Sequence, residues 1–238
     1  MPVTFSFGGA GRHFPFMLGV AHGLRTHLDV NWNEIYVHCI SSGISGAMAL
    51  MLCTPVQIEY LLLRGIEAAH TANIEPLQAY YLNIIESMLP SNAYQMVGDR
   101  LIIGQTKLPF FQPELVQGPF HSQEQLLSEI YSSCRIPFLT GTLASEVDGG
   151  FSHQYAVFDA DTVVVTLKRK SRSDVYTQHI SFFGEMLLPT RQRMLDLFEL
   201  GKRTVEAQLP LIRDRIARSE QVRLYAQGEQ LVLYTGKE

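Results

Sequence analysis

The fold of this chain is decided by one stretch, Glu34-Ile35-Tyr36-Val37-His38-Cys39-Ile40-Ser41-Ser42-Gly43-Ile44-Ser45-Gly46-Ala47. Its first half is rich in apolar, β-branched and aromatic residues, a composition that favours a buried strand. Small residues then end the strand, and the apolar run from Met48 to Leu52 is compatible with a helix. The stretch therefore predicts a strand, a tight turn and a helix. It leaves the hydroxyl of Ser41 exposed on a strained corner above the helix amino terminus.

A serine at such a corner is the nucleophile in many hydrolases, where glycine usually lies two residues before it and two residues after it. Gly43 occupies the second of these positions, but Cys39 occupies the first, so the match is degenerate. A glycine-containing turn between a buried strand and a buried helix explains the same residues without any chemical role. The hypothesis therefore needs support from elsewhere in the chain.

The composition is that of a globular protein. With 238 residues, of which 46% are hydrophobic, the chain can bury a substantial core, and we expect a single domain over residues 1–238. A formal net charge of −4 and a pI near 6.1 give no general attraction to nucleic acid or to anionic lipid. The amino terminus lacks the positive region of a signal peptide, and no run approaches the roughly 18 apolar residues of a membrane span. We expect three reduced, buried thiols in a cytosolic-type compartment, at Cys39, Cys53 and Cys134.

The segment before this stretch predicts a first strand over residues 3–7. It runs into a glycine-rich loop, Gly8-Gly9-Ala10-Gly11-Arg12-His13, whose main chain can approach a ligand closely. A strand, a glycine-rich turn and a helix also suggest a dinucleotide fold. Against this, the loop lacks the third glycine of GxGxxG, and Pro15 interrupts the start of the helix.

The segments after Ser41 predict helices and strands in mixed order. The β-branched run of residues 162–168 is typical of a strand in the middle of a parallel sheet. Residues 107–120, rich in proline, phenylalanine and glycine, indicate an extended loop, and residues 222–225 and 231–234 a terminal hairpin. A further strand is predicted over residues 101–106, and helices over residues 18–27, 44–53, 56–70, 75–89, 123–133 and 189–209, the last continuing less regularly to about 217.

A serine hydroxyl needs a base that takes its proton during attack. His38 lies three residues before Ser41, an odd offset that places it on the opposite face of a strand. Asp148 is a better candidate because it precedes Gly149 and Gly150, at the kind of turn that leaves a carboxylate exposed. Asp-Gly-Gly is also an ordinary turn sequence, so this signal is weak alone.

The three motifs in order resemble the patatin-like phospholipase family, closest to its adiponutrin and adipose triglyceride lipase branch. The GGGxRG loop of that family resembles residues 8–13, its GxSxG motif residues 39–43, and its DGG motif residues 148–150. Residues 89–93, 133–137 and 159–166 are also similar to that branch, so the resemblance covers roughly residues 3–208. It implies a three-layer α/β fold with a mostly parallel central sheet flanked by helices, and leaves residues 209–238 as a helix end and hairpin.

The resemblance also implies the roles of the site residues. Ser41 is the nucleophile and Asp148 the base of a Ser-Asp dyad, and an exposed carboxylate with a pKa of about 4 would be ionised at neutral pH. Backbone N–H groups hold the oxyanion, with Gly8, Gly9, Ala10 and Gly11 as candidates, and Arg12, Gly43, Gly149 and Gly150 as supporting residues. Neither a metal nor an organic cofactor is required. Three residues depart from the family motifs: Cys39, Ala10 and His13. Ala10 is acceptable only if its φ is negative, and His13 could reshape the loop or crowd the acyl entrance.

The implied function is hydrolysis of fatty-acyl esters of phospholipids, lysophospholipids or glycerides. The alternatives are a lipid acyltransferase and a catalytically impaired protein that binds lipid surfaces or a partner. Acyl chains need an apolar cleft, which the helix after Ser41 and the segment Pro109-Phe110-Phe111 could line, although these aromatic residues could equally cap the core. The basic cluster of residues 168–172 is a solvated loop or a site for anionic head groups. We expect a cytoplasmic protein that contacts membranes or lipid droplets peripherally, with no nucleic acid partner; the sequence indicates no particular oligomeric state.

Overall fold

The computed structural model describes residues 2–71, 85–86, 89–137, 144–167, 169–170, 172–177, 190–222 and 232–234. Its strands are β1 Thr4–Phe7, β2 Tyr36–Ile40, β3 Leu101–Lys107, β4 Gln112–Gln117, β5 Glu146–Asp148, β6 Tyr155–Val157, β7 Val163–Val165 and β8 Val232–Tyr234. Its helices are α1 Phe14–His27, α2 Gly43–Leu52, α3 Pro55–Thr71, α4 Ala93–Val97, α5 Gln123–Ser133 and α6 Arg191–Val222. Three short 3₁₀ turns cover Gly11–His13, Gly98–Arg100 and Gly149–Phe151.

The central sheet is mostly parallel. Its strands follow the order β4-β3-β2-β1-β7, in which β3, β2, β1 and β7 run in the same direction and β4 is antiparallel. Helices flank the sheet, as the three-layer α/β prediction requires. Strand β1 has no exposed side chain, because parallel strands with helices on both faces are buried on both sides.

The helices that follow β1 and β2 form the centre of the core. Helix α1 packs against α2, α3 and α6, and its residues from Phe14 to Leu24 are all buried. Helix α2 is apolar around its circumference, and its residues from Gly43 to Met51 are buried, which confirms the prediction from its sequence. Pro15 lies in the first turn of α1, where a missing N–H costs no hydrogen bond, so it does not interrupt that helix.

Strand β5 lies in line with β2 along the same edge of β3. Strand β4 pairs with β3 from Ile102 to Lys107 on one edge, so the other edge must hold both remaining partners. Strand β2 ends at Ile40 opposite Gly104, and β5 runs from the other direction to end at Asp148 opposite Gln105. The ends of β2 and β5 therefore meet at neighbouring positions on β3.

Several elements differ from the sequence predictions at the ends of the sheet. The predicted loop over residues 107–120 contains β4, and Pro113 is tolerated there because an edge strand leaves one side without ladder partners. Strand β7 is shorter than predicted and lies at the end of the described strand order, with β1 beside it. A bridge between Val165 and Val175 covers part of its other edge.

The carboxyl-terminal predictions are partly wrong. Helix α6 continues through Pro210 to Val222, so Val222 is helical and not part of a strand. Strand β8 pairs antiparallel with β6, and residues 223–225 of the predicted hairpin lie outside the described residues. The helix predicted over residues 75–89 lies mostly outside the described residues, as do Lys168 and Ser171 of the basic cluster.

One prediction from composition is confirmed. Cys39, Cys53 and Cys134 are free and buried, and burial raises the pKa of each thiol. Among the helices that the structure describes, none is long and apolar enough to cross a membrane.

Candidate active site

Ser41 lies on the turn between β2 and α2, as the sequence predicts. Its φ of 52° is in the left-handed region that side chains other than glycine rarely adopt, so the backbone is strained at this residue. Two contacts hold the turn: the N–H of Ser41 donates to Oγ of Ser133 at 2.9 Å, and its carbonyl accepts from the N–H of Ile44 at 3.0 Å. Ser133 in turn donates to the carbonyl of Gly104 at 2.7 Å. The side chain of Ser41 is buried, not exposed as predicted, because the glycine-rich loop and β5 cover the corner.

Gly43 allows this turn to pack against β1. A Cβ atom at Gly43 would lie 2.5 Å from the carbonyl oxygen of Gly8 and 2.7 Å from that of Phe7. Real Cβ atoms do not approach backbone oxygens so closely, so a side chain here would push the turn away from the glycine-rich loop. Gly43 is therefore required by close approach, while Cys39, at the other end of the motif, fits as a fully buried small side chain.

Asp148 ends β5 close to the end of β2, and its carboxyl group lies near enough to the side chain of Ser41 for that side chain to lower its pKa. Its Oδ1 also accepts the N–H of Gly150 at 2.8 Å, and its own N–H donates to the carbonyl of Arg135 at 2.7 Å. Gly149 turns the chain away beside β2, where a Cβ atom would lie 2.5 Å from the Gly104 oxygen. The structure thus brings the two predicted catalytic residues together although 107 positions (148 − 41) separate them in sequence.

The carboxyl group of Asp148 is buried, which corrects the expectation of an exposed carboxylate. Asp148 is 6% exposed, and burial raises its pKa from 3.8 to about 6, against the opposing effect of the hydrogen bonds from Ser41 and Gly150. Burial disfavours the charged form, whereas hydrogen bonds to the carboxylate favour it. At pH 7 roughly nine carboxyl groups in ten remain ionised with such a pKa. A base with a pKa near neutrality is well matched to proton transfer.

A chain of hydroxyl groups supports the main chain of Asp148 from behind. Oγ1 of Thr106 donates to the carbonyl of Asp148 at 2.8 Å, and Oγ of Ser152 lies 2.8 Å from the same Oγ1. Either hydroxyl of this pair can be the donor, because Oγ of Ser152 also lies 3.4 Å from the carbonyl oxygen of Gly149. Oγ of Ser152 lies 3.1 Å from Nδ1 of His153 as well. Burial lowers the pKa of His153 to about 4, so this histidine is neutral at physiological pH.

His38 does not serve Ser41, in agreement with the prediction from its position on β2. Its Nδ1 lies 3.1 Å from Oγ of Ser6 on the neighbouring strand. Burial lowers the pKa of His38 well below its ordinary value, and nearby His153 lowers it further. The ring is therefore uncharged and belongs to the packing behind the site.

The glycine-rich loop lies directly over Ser41. A Cβ atom at Gly9 would be 3.5 Å from Cβ of Ser41. The four candidate oxyanion donors differ in their present partners: the N–H of Gly8 donates to the Val165 carbonyl at 2.8 Å, and that of Ala10 to Oγ of Ser42 at 3.0 Å. Gly8 therefore has no amide hydrogen to offer, because its N–H completes the sheet between β1 and β7.

Two other donors of this loop are available. Within the described residues, the N–H groups of Gly9 and Gly11 have no hydrogen-bond partner. Ala10 has a φ of −132°, which satisfies the condition for an alanine at this position. The oxyanion prediction thus narrows to Gly9 and Gly11, with Ala10 available only if it releases Ser42.

His13 is buried and folds back onto the loop instead of crowding an entrance. Its Nδ1 lies 3.1 Å from the carbonyl oxygen of Ala10, and since a carbonyl only accepts, Nδ1 carries the hydrogen. Arg12 is partly exposed, and no ion pair or hydrogen bond with another described residue engages its guanidinium group. In the portion of the chain covered by the structure, no cluster of His, Cys, Asp or Glu side chains could hold a metal ion.

The supporting hydroxyl groups were missed by reasoning from sequence. Ser42 binds the loop, Ser133 binds the Ser41 turn, and Thr106 binds the Asp148 strand. A small hydroxyl residue carries no periodic or compositional signal. Ser42 and Ser133 lie in segments that carry the family resemblance, but only the fold shows which contacts the three hydroxyl groups make.

The strain at Ser41 can be measured by comparing two replacements that both remove the hydroxyl. We expect Ser41→Gly to be more stable than Ser41→Ala by about 1 kcal/mol, because only glycine adopts a positive φ without steric cost. Chemical denaturation of the two variants measures the difference. Equal stability of the two, or a more stable alanine variant, would show that the turn is not strained.

Comparison with known proteins gives one distant similarity. No protein-family model matches the chain. It is 27% identical over 138 residues to the mouse protein 1-acylglycerol-3-phosphate O-acyltransferase Pnpla3, covering 52% of this chain. The chain spans only about a third of that relative, 33% of its length. The similarity supports a patatin-like family at most.

Proposed function

We propose that this chain is a patatin-like serine acyl hydrolase that cleaves fatty-acyl esters of lipids through Ser41 and Asp148. One observation carries the proposal: a serine with a strained backbone lies beside a buried carboxyl group whose pKa is raised to about 6. Perturbed carboxyl groups beside a potential nucleophile are typical of catalytic sites. The distant similarity to a lipid acyltransferase supports a lipid ester as the substrate.

In the proposed mechanism, Oγ of Ser41 forms a bond to the ester carbonyl carbon while Asp148 takes the hydroxyl proton. The negative charge that develops on the carbonyl oxygen is held by the N–H groups of Gly9 and Gly11. Collapse of this intermediate breaks the bond to the alcohol, which leaves with the proton from Asp148, and an acyl-serine remains. Water then attacks the acyl group, Asp148 accepts a proton from the water, and the fatty acid is released while Ser41 regains its hydrogen.

The raised pKa of Asp148 predicts the pH dependence of the first step. Only the carboxylate can accept a proton, so kcat/KM should be constant above about pH 7 and fall about tenfold per unit below the pKa of about 6. Stopped assays from pH 4.5 to 8 on a short-chain ester without titratable groups measure this profile. A profile that stays flat down to pH 5 would exclude Asp148 as the base in its buried state.

Acyl transfer is the second candidate, and the acyltransferase activity that the mouse relative is named for favours it. The acyl-serine would be the same, but a lysophospholipid hydroxyl would replace water in the second step. Addition of 1-acylglycerol 3-phosphate to the reaction distinguishes the two. Hydrolysis releases free fatty acid regardless of this acceptor, whereas transfer forms the diacyl product at the expense of free acid.

The proposed function is tested by measuring acyl release from phospholipid, lysophospholipid, monoglyceride and triglyceride, with Ser41→Ala as the inactive reference. We expect release from at least one class that the Ser41→Ala variant lacks. A folded protein without such release would support the non-catalytic alternative, in which the same surface binds lipid or a partner. A lipid substrate also implies the proposed location, a cytoplasmic protein in peripheral contact with membranes or lipid droplets.

A further inference from the structure

Three phenylalanine side chains are exposed together beside the candidate active site. Phe110 is 80% exposed, Phe111 55% and Phe151 49%, although large aromatic residues are ordinarily buried. The rings of Phe111 and Phe151 are in contact, with centroids 6.4 Å apart. The sequence predicts that Phe110 and Phe111 either line an acyl cleft or cap the core. Neither expectation accounts for such exposure, because side chains in a closed cleft or on the core would be covered. We call this group, Phe110, Phe111 and Phe151, the aromatic rim.

The aromatic rim lies at the edge of the sheet that carries the site. Strand β2 ends opposite Gly104, whereas β3 continues three residues further to Lys107 before it turns into β4. At about 3.3 Å per residue, the turn with Phe110 and Phe111 therefore projects about 10 Å beyond the end of β2. Its base is fixed to the residue directly before β5, since the N–H of Leu108 donates to the Ser145 carbonyl at 2.8 Å.

Phe151 approaches the same place from the other side. It ends the short turn Gly149–Phe151 that follows Asp148 directly. The rim therefore combines a projecting hairpin turn with the turn that positions the proposed base.

We propose that the aromatic rim docks the chain on an uncharged lipid surface and places Ser41 and Asp148 beside it. The inference rests on the proposed function in taking a lipid as the ligand. Phenylalanine side chains on the apolar face of a peripheral protein bury themselves at the boundary between lipid head groups and acyl chains. The nearby charge does not favour anionic lipid, because Lys107 forms an ion pair with Glu114 at 3.2 Å. Docking should therefore occur on phosphatidylcholine and depend only weakly on salt.

Vesicle flotation tests the docking surface without any need for catalysis. The Ser41→Ala chain is mixed with large phosphatidylcholine vesicles, and its partition coefficient is compared with that of the same chain carrying Phe110→Ser and Phe111→Ser. We expect a loss of about tenfold or more, because burial of even one phenylalanine changes partitioning by that factor. Val56→Ser is the matched control: Val56 is 76% exposed on α3, away from the rim, and its replacement should change partitioning less than about twofold.

A spectroscopic readout separates insertion from a change in folding. Phe110→Trp should show a blue-shifted and stronger emission when phosphatidylcholine vesicles are added, whereas Val56→Trp should not. Three results would each overturn the docking surface. They are failure of the parent chain to float, equal flotation of the rim variant, and a Phe110→Trp emission spectrum that does not shift. A fourth result is a chain that fails to bind vesicles and forms a dimer that the rim substitutions convert to a monomer. That result would overturn lipid docking and assign the rim to contact with a second copy of the chain.

The failure of this inference can be distinguished from failure of the proposed function. A chain that reacts with a fluorophosphonate at Ser41 but does not float retains the proposed chemistry and loses the docking surface. A chain that floats through its rim without reacting retains the docking surface and loses the enzymatic proposal.

Discussion

Replacement of Ser41 with alanine is expected to reduce acyl release by at least about 10³-fold. Without the hydroxyl no acyl-serine forms, and loss of a nucleophile in comparable serine enzymes costs up to about 10⁶-fold in kcat. The residual rate would come from substrate bound near the loop N–H groups of Gly9 and Gly11. Initial rates on the best lipid substrate, measured at pH 7.5, provide the comparison.

A neighbouring hydroxyl is the appropriate control for this experiment. Ser45 is buried in the first turn of α2 and donates to the Ser42 carbonyl at 2.8 Å, so Ser45→Ala removes a similar group without touching the proposed chemistry. We expect its activity to stay within a few-fold of the original chain. Retention of most of the acyl release by Ser41→Ala would assign the reaction to another residue.

Replacement of Asp148 with asparagine is expected to have two large effects of opposite sign. Activity should fall about 10²- to 10⁴-fold, because the amide cannot accept the Ser41 proton. Stability at neutral pH should rise, by up to about 3 kcal/mol, because the fold no longer buries a carboxylate whose pKa it raises from 3.8 to about 6. A more stable and less active variant is the signature of a residue retained for function.

The pH dependence of this gain follows from linkage. The folded chain binds the Asp148 proton more tightly than the unfolded chain, so the original chain loses stability as pH rises from about 4 through about 6. The advantage of Asp148→Asn should therefore be complete above about pH 6 and absent below about pH 4. Denaturation curves at pH 4 and pH 7.5 test this. Asp196→Asn, which changes an exposed carboxylate on α6, is the control and should not gain stability. If Asp148→Asn is less stable at pH 7.5, the buried carboxylate is instead a structural requirement.

Local sequence patterns were sufficient to predict the Ser41 turn. The β-branched run of β2, the small residues after it and the apolar α2 each specify their own structure, so strand, turn and helix were found where expected. Strand β4 was missed for the opposite reason. It is polar, partly exposed and contains Pro113, and only its pairing with β3 makes it a strand.

The burial of Asp148 was not predictable from its neighbours. An Asp-Gly-Gly sequence indicates an exposed turn. Here, however, Asp148 ends the short strand β5, which pairs with β3 beyond the point where β2 ends at Ile40. That placement is a tertiary property, and it determines both the contact with Ser41 and the raised pKa. The order of the motifs in the sequence indicated that Ser41 and Asp148 belong together. The register of β2 and β5 on β3 explains how the two residues come close in space.

Covalent labelling tests the central claim most directly. The intact chain is incubated at pH 7.5 with a fluorophosphonate, which reacts with an activated serine, and the adduct is located by mass spectrometry of its peptides. We predict one phosphonyl group per chain, on Ser41, absent in Ser41→Ala and formed at least about 10²-fold more slowly in Asp148→Asn. A folded chain that forms no adduct, or an adduct that persists in Ser41→Ala, would contradict the account.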